Sequence, residues 1–190
     1  VVSQPASALN LSTIVSNVSC FGAASGGVDL TVTGGSPGYL YSWSNGSISQ
    51  DLSNVVSNSY TVTVLDANGC SATTIGNVSQ PLEALNVTLN PTNLNCNGVS
   101  SGAISTTVSG GTGAYTYSWG GGISTANRAS LAAGNYAVTV TDAASCSASA
   151  ASTLTQPSAI TITSTKTDVL CNGGNSGVIN VTAMGGTGAY

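Results

Sequence analysis

The sequence predicts an all-β chain, built as a tandem series of small β-sandwiches of about 76 residues each. The first observation behind this is repetition. Gln4-Pro5, Gln80-Pro81 and Gln156-Pro157 recur every 76 residues, Trp43 and Trp119 are 76 apart, as are Cys70 and Cys146, and Cys20, Cys96 and Cys171 follow at 76 and 75. The second is period-2 alternation of apolar and polar residues, with no stretch of helical periodicity. The third is turn chemistry that interrupts the alternation at short intervals. The register divides the chain into the tail of one repeat (1–5), two whole repeats (6–81 and 82–157) and the first part of another (158–190), as expected of a window cut from a longer array.

Along the first repeat, Val28, Leu30 and Val32 alternate with Asp29, Thr31 and Thr33, the pattern of a strand with one buried face. Its counterparts are Ile104, Thr106 and Val108, then Ile179, Val181 and Ala183. Gly34-Gly35 and Ser36-Pro37-Gly38 break the chain before "YLYSW", and Asn45-Gly46 after it predicts a hairpin. Tyr60, Val62 and Val64 form the next alternating run, repeated as Tyr136, Val138 and Val140, and Asp66-Ala67-Asn68-Gly69 is a turn. Six or seven short strands per repeat result. In the third repeat only two early strands are expected, around 160–163 and 178–183.

Composition narrows the function classes. Charged residues make up 4% of the chain, against roughly 25% in ordinary domains, and histidine is absent. Arg128 and Lys166 are the only cations, which excludes a phosphate-neutralising surface, so nucleic acid is not an expected partner. No apolar run reaches the roughly 18 residues of a membrane span, and no signal-peptide pattern opens the sequence. Without histidine the Ser-His-Asp and Cys-His arrangements are missing, so the chain is not expected to be an enzyme, and no cofactor or metal is expected.

The cysteines are spaced as pairs. Cys20 with Cys70 and Cys96 with Cys146, each 50 residues apart, are expected to form one disulfide within each whole repeat, leaving Cys171 without a mate in this sequence. The alternative is five buried free thiols. Trp43 and Trp119 lie between the paired cysteines, an order that resembles immunoglobulin-like sandwiches, in which tryptophan packs on the inter-sheet disulfide. Tyr39, Tyr41 and Trp43 share one strand face, as do Tyr115, Tyr117 and Trp119. Each stripe reads as core or core-edge aromatics. The rival reading is a stacking platform for sugar rings, with Trp43, Trp119, Tyr41 and Tyr117 as the candidate contacts. Asp66 and Asp142 stand four residues before the second cysteine of their repeats and read as closers of Asx turns, with a calcium site as the poorer alternative.

"CNGVSSGAISTTVSGGTGAYTYSW" (96–119), "AGNYAVTVTDAASC" (133–146) and "NSYTVTVLDANGC" (58–70) together resemble the SprB repeat, found in very large surface adhesins of the Bacteroidota. Ala144-Ser145 departs from the usual Asn-Gly before the second cysteine. The resemblance implies an extracellular, cell-surface location, a link to gliding motility and export by type IX secretion. It implies a structural or adhesive role as a rigid stalk or filament. Expected partners are neighbouring repeats of the same chain, other copies in a filament, and a surface polysaccharide or substratum. The alternative function is a glycan-binding module using its aromatic residues.

Overall fold

The computed structural model describes residues 7–188; the expected tail of a preceding repeat (1–5) and Tyr190 lie outside the described residues. Fourteen strands and no helix occur among them. The chain separates into two compact units. One comprises Val1–Asn86, Ser109–Tyr115 and Thr141–Ala148, and the other Val87–Val108, Thr116–Val140 and Ser149–Tyr190.

Alternation becomes strand pairing in the first repeat. β1 (Asn10–Ser16) and β2 (Gly26–Thr33) are antiparallel over seven residue pairs, and β4 (Leu52–Val55) joins the other edge of β2 through a bulge at Gly26/Gly27. A second antiparallel sheet has the order β3-β5-β6, from Leu40–Trp43, Asn58–Leu65 and Ser71–Val78. The inward residues of the two sheets share one core: Val28 and Leu30 from β2, Trp43 from β3, Leu52 from β4, Tyr60, Val62 and Val64 from β5, and Val78 from β6. Leu30, Val62 and Val64 are completely buried. At roughly 1.5–3 kcal/mol for each fully buried aliphatic side chain, this core is the main source of stability in so uncharged a sequence.

Asn45-Gly46 does form a turn, with Gly46 at φ 86° and its N–H donating to the Trp43 carbonyl (2.9 Å). It is not the predicted hairpin. β3 pairs with β5 while β4 pairs with β2, so the turn carries the chain from one sheet to the other. Local turn chemistry specified a reversal; the apolar face of Leu52, which must reach the core beside Val28, decided the destination.

The second repeat has the same pairings. β7 (Asn86–Thr92), β8 (Gly102–Ser109) and β10 (Arg128–Leu131) form a sheet in the order β10-β8-β7, and β9 (Thr116–Ser118), β11 (Gly134–Thr141) and β12 (Ser147–Leu154) one in the order β12-β11-β9. Leu94, Ile104, Leu131 and Leu154 pack together, with Leu89, Trp119 and Tyr136 against them. β13 (Thr161–Thr167) and β14 (Val178–Met184) form a two-stranded antiparallel sheet, close to the expected positions.

Thr106 occupies the register position of the buried Leu30, and its Oγ1 is buried without a hydrogen-bond partner. A buried unsatisfied hydroxyl costs about 1–3 kcal/mol. Thr106→Val, which removes the hydroxyl and keeps the branched shape, is expected to stabilise the chain by about 1 kcal/mol in chemical denaturation; a loss of stability would mean that the hydroxyl is solvated.

Candidate functional site

The cysteines and aspartates singled out by the sequence lie at the two ends of the sheets, where strands exchange through turns, whereas Trp43 lies in the core. At one end of the first repeat, Asp66 closes the β5–β6 turn. Its Oδ1 accepts the N–H groups of Asn68 (3.0 Å) and Cys70 (2.8 Å), and its Oδ2 accepts the N–H of Ser36 (2.9 Å) from the β2–β3 connection. One carboxylate thus ties together turns of both sheets. Asp142 repeats the arrangement with Ala144 (2.9 Å), Cys146 (2.8 Å) and Thr112 (2.8 Å). The Asx-turn reading stands, and both oxygens are engaged by backbone donors. Among the described residues no cluster of three or more His, Cys, Asp or Glu is arranged to hold a metal ion.

The Gly-Gly pairs serve this end. Gly34 and Gly110 have φ of 72° and 69°, and a Cβ on either would overlap the carbonyl oxygen of Ala8 or Ala84. Each following glycine donates its N–H to the chain entering the repeat, Gly35 to Ser7 and Gly111 to Glu83, both at 3.0 Å. The first tyrosine of each aromatic stripe locks the same loop, Tyr39 and Tyr115 donating to the Gly34 and Gly110 carbonyls at 2.6 and 2.7 Å. Ser145 stands where the first repeat has Gly69, and it adopts φ 67°, so the Ala144-Ser145 departure keeps the turn at the expense of a left-handed non-glycine residue.

At the opposite end of β6 lies the loop that holds Cys20. Val18 donates its N–H to Ser79 O (2.8 Å), Ser79 N–H donates to Asn17 Oδ1 (3.0 Å), and Gly22 N–H donates to Gln80 Oε1 (2.8 Å). This explains the Gln-Pro motif, whose glutamine anchors the cysteine loop. The second repeat has the same bonds, from Leu94 to Thr155 O (3.0 Å) and from Gly98 to Gln156 Oε1 (2.9 Å).

This geometry overturns the expected disulfide map. Cys70 directly precedes β6 and Cys20 is fastened beyond its other end, so eight strand residues, about 26 Å, separate them. A disulfide needs Cα atoms within about 7 Å. Cys20 is instead bonded to Cys146, with Cα atoms 5.7 Å apart and 126 residues between them in sequence. Neither Cys20–Cys70 nor Cys96–Cys146 forms; Cys70, Cys96 and Cys171 are exposed free thiols. The first cysteine of one repeat is thus joined to the second cysteine of the next. Valines 28, 62 and 64 occupy the centre of the first repeat, so Trp43 does not pack on an internal bridge.

The aromatic stripes divide between buried and partly open positions. Trp43 is 3% exposed and donates Nε1–H to Ser49 O (2.8 Å). Tyr41 is half-buried and directs its hydroxyl at Gln50 (3.3 Å); burial foremost, then Tyr39 and Asp51, raises its phenol above the usual tyrosine value. Trp119 and Tyr117 are half-buried. Trp119 donates Nε1–H to Thr125 O (2.8 Å), and the Arg128 guanidinium lies 5.6 Å from its ring centroid and 5.2 Å from that of Tyr136.

The SprB repeat family matches the chain over residues 12–48, 88–122 and 163–190, more than half of its length. The chain belongs to this family. Each match starts inside the first strand of its repeat, and the first two extend just past the tryptophan turn, so they contain the first cysteine but not the second. No curated protein matches the chain.

The backbone N–H of Ser36 foremost, then those of Cys70 and Asn68, holds the Asp66 carboxyl below the usual aspartate range against the opposing effect of burial; Thr112 leads for Asp142, followed by Cys146 and Ala144. A folded value below the unfolded value of about 3.9 gives stability that is full above that pH and is lost as pH falls through the lower folded value. Thermal midpoints should therefore be flat above about pH 5 and fall below about pH 4. Asp66→Asn with Asp142→Asn is expected to lower the midpoint at pH 7 and flatten that acid dependence. An unchanged acid profile in the double variant would place the effect elsewhere.

Proposed function

We propose that the chain is a load-bearing stalk segment of a large cell-surface adhesin, exported to the outside of the cell, in which immunoglobulin-like sandwiches of about 76 residues are stapled to one another. The sandwich assignment is supported by the pairings β1-β2-β4 and β3-β5-β6, which follow the sheet order of an immunoglobulin domain without its D strand. An extracellular setting is supported by the Cys20–Cys146 disulfide, since such bonds persist outside reducing compartments. Gliding motility and type IX secretion enter through the family resemblance.

The observation that carries the stalk reading is that the staple joins one repeat to the next. Tension applied at the ends of the chain passes through the sulfur–sulfur bond and bypasses the 126-residue span it closes. In the chain-entropy account a loop of this length is worth about 5 kcal/mol. Single-molecule pulling tests the reading. The oxidised chain should lack about 45 nm of extension that a reductant restores, the contour of those 126 residues at up to about 3.6 Å each. Equal extension with and without reductant would contradict it.

The partly open Trp119 and Tyr117 favour a second reading, a glycan-binding face. The stalk reading expects Trp119→Ala and Tyr117→Ala, when folded by circular dichroism, to bind polysaccharide as the parent does. Loss of binding of tenfold or more in a folded variant would support the glycan site instead.

A further inference from the structure

Strands β13–β14 and the loop of Cys96 each differ from their counterparts in the first repeat. β13 and β14 pair in the register of β1 and β2, Thr161↔Met184 to Thr167↔Val178 against Asn10↔Thr33 to Ser16↔Gly27. Their surroundings differ. Val28 and Leu30 are 1% and 0% exposed beneath the β3-β5-β6 sheet, whereas their counterparts Ile179 and Val181 are 73% and 64% exposed. The glycine turn is nevertheless preformed: Gly186 donates its N–H to Ser158 O (2.9 Å), as Gly35 does to Ser7 and Gly111 to Glu83. In the first two repeats the next residue, Ser36 or Thr112, gives its N–H to the aspartate that precedes the second cysteine; the counterpart here is Thr187.

The loop that holds Cys96 has the bonds of the loop that holds Cys20. Asn95 N–H reaches Ser101 Oγ (3.2 Å) as Ser19 N–H reaches Ser25 Oγ (3.1 Å), in addition to the strand-end and glutamine contacts described above. Cys20 is bonded, and Cys96 is free and exposed. Cys96 lines a cleft of about 300 Å³ whose other walls include Pro157, Ala159, Ile160, Gly186 and Thr187. The cleft therefore joins the free thiol to the preformed glycine turn.

We propose that Cys96, this cleft and the open face of β13–β14 form one docking site, and that its occupant is a three-stranded sheet of the β3-β5-β6 kind whose last turn reads Asp-Xaa-Xaa-Xaa-Cys. The aspartate closes the Gly186–Thr187 turn, the sheet covers Ile179 and Val181, and the cysteine bonds to Cys96 as Cys146 bonds to Cys20. Two thiols each lose a proton and together give up two electrons to a disulfide co-reactant, such as glutathione disulfide, which leaves as two thiols. A second copy of the chain is not the occupant, because its own β3-β5-β6 sheet is already covered, with Val62 and Val64 at 0% exposure. Every first cysteine then takes the second cysteine of the following unit, and the staples overlap along the array. This inference rests on the strand register and the cysteine positions, and holds whether or not the adhesive role does.

The test extends the full chain. Residues 110–115 and 185–190 are both "GGTGAY", so the sequence of residues 116–157 can be appended after Tyr190 without changing the register. Folding in a glutathione redox buffer, peptide mapping under non-reducing conditions and hydrogen exchange provide the readouts. The appended cysteine should bond to Cys96, and amide exchange across 178–184 should slow at least tenfold relative to the unextended chain. In the Cys96→Ser version the slowing should persist while the appended cysteine becomes alkylatable. A bond from the appended cysteine to Cys171, or unchanged exchange across 178–184 while 26–33 stays protected, would overturn the proposal. Reducible multimers of the unextended chain linked through Cys70 and Cys96 would make a second copy the occupant and overturn it as well.

Discussion

The length of β6 governs the covalent organisation of this chain. A strand of eight residues runs from one end of the paired sheets to the other, with Cys70 immediately before it and the loop of Cys20 fastened after it by Ser79 and Gln80. A short crosslink cannot span that distance, so Cys20 and Cys70 do not bond to each other: Cys20 bonds to Cys146 and Cys70 stays a free thiol. The Cys20–Cys146 bond follows from this polarity. The usual division of labour in a small disulfide-rich domain, in which the bridge supports the core, is thereby changed. Here aliphatic burial supports the core, and the bridge links residues 126 apart in the sequence.

The polarity depends in turn on how the ends are built. With few charged side chains available, the sequence places Asp66 and Asp142 where each carboxylate accepts three backbone N–H groups from two connections. The glycine pairs let the incoming strand pass close enough for Gly35 and Gly111 to bond to it, and Tyr39 and Tyr115 fix the same loops. At the other end, glutamine and asparagine side chains do the equivalent work around the cysteine loops. Neutral and singly charged side chains bonded to backbone thus hold the connections at both ends.

Much of the fold was legible in the sequence because alternation and burial are local properties. The buried faces of β2 and β5 were read directly from Val28 and Leu30 and from Tyr60, Val62 and Val64, and the Asx turns from Asp66 and Asp142. The destination of the chain after Asn45-Gly46 was not legible, since that dipeptide specifies a reversal and not which sheet receives the next strand. The cysteine pairing failed for a related reason. Equal spacing of 50 residues is satisfied as well by a bond within a repeat as by one between repeats, and only the positions of the loops relative to β6 distinguish them. The Gln-Pro motif carried the missing signal: once Gln80 is known to hold Gly22, Cys20 must sit at the far end from Cys70.

The claim that the staple joins successive repeats is tested most directly by mapping the disulfides of the oxidised full chain, with free thiols blocked before proteolysis and the linked peptides identified by mass spectrometry. The account predicts one linked pair, Cys20 with Cys146, and alkyl label on Cys70, Cys96 and Cys171. Linked peptides joining Cys20 to Cys70 and Cys96 to Cys146 would contradict it.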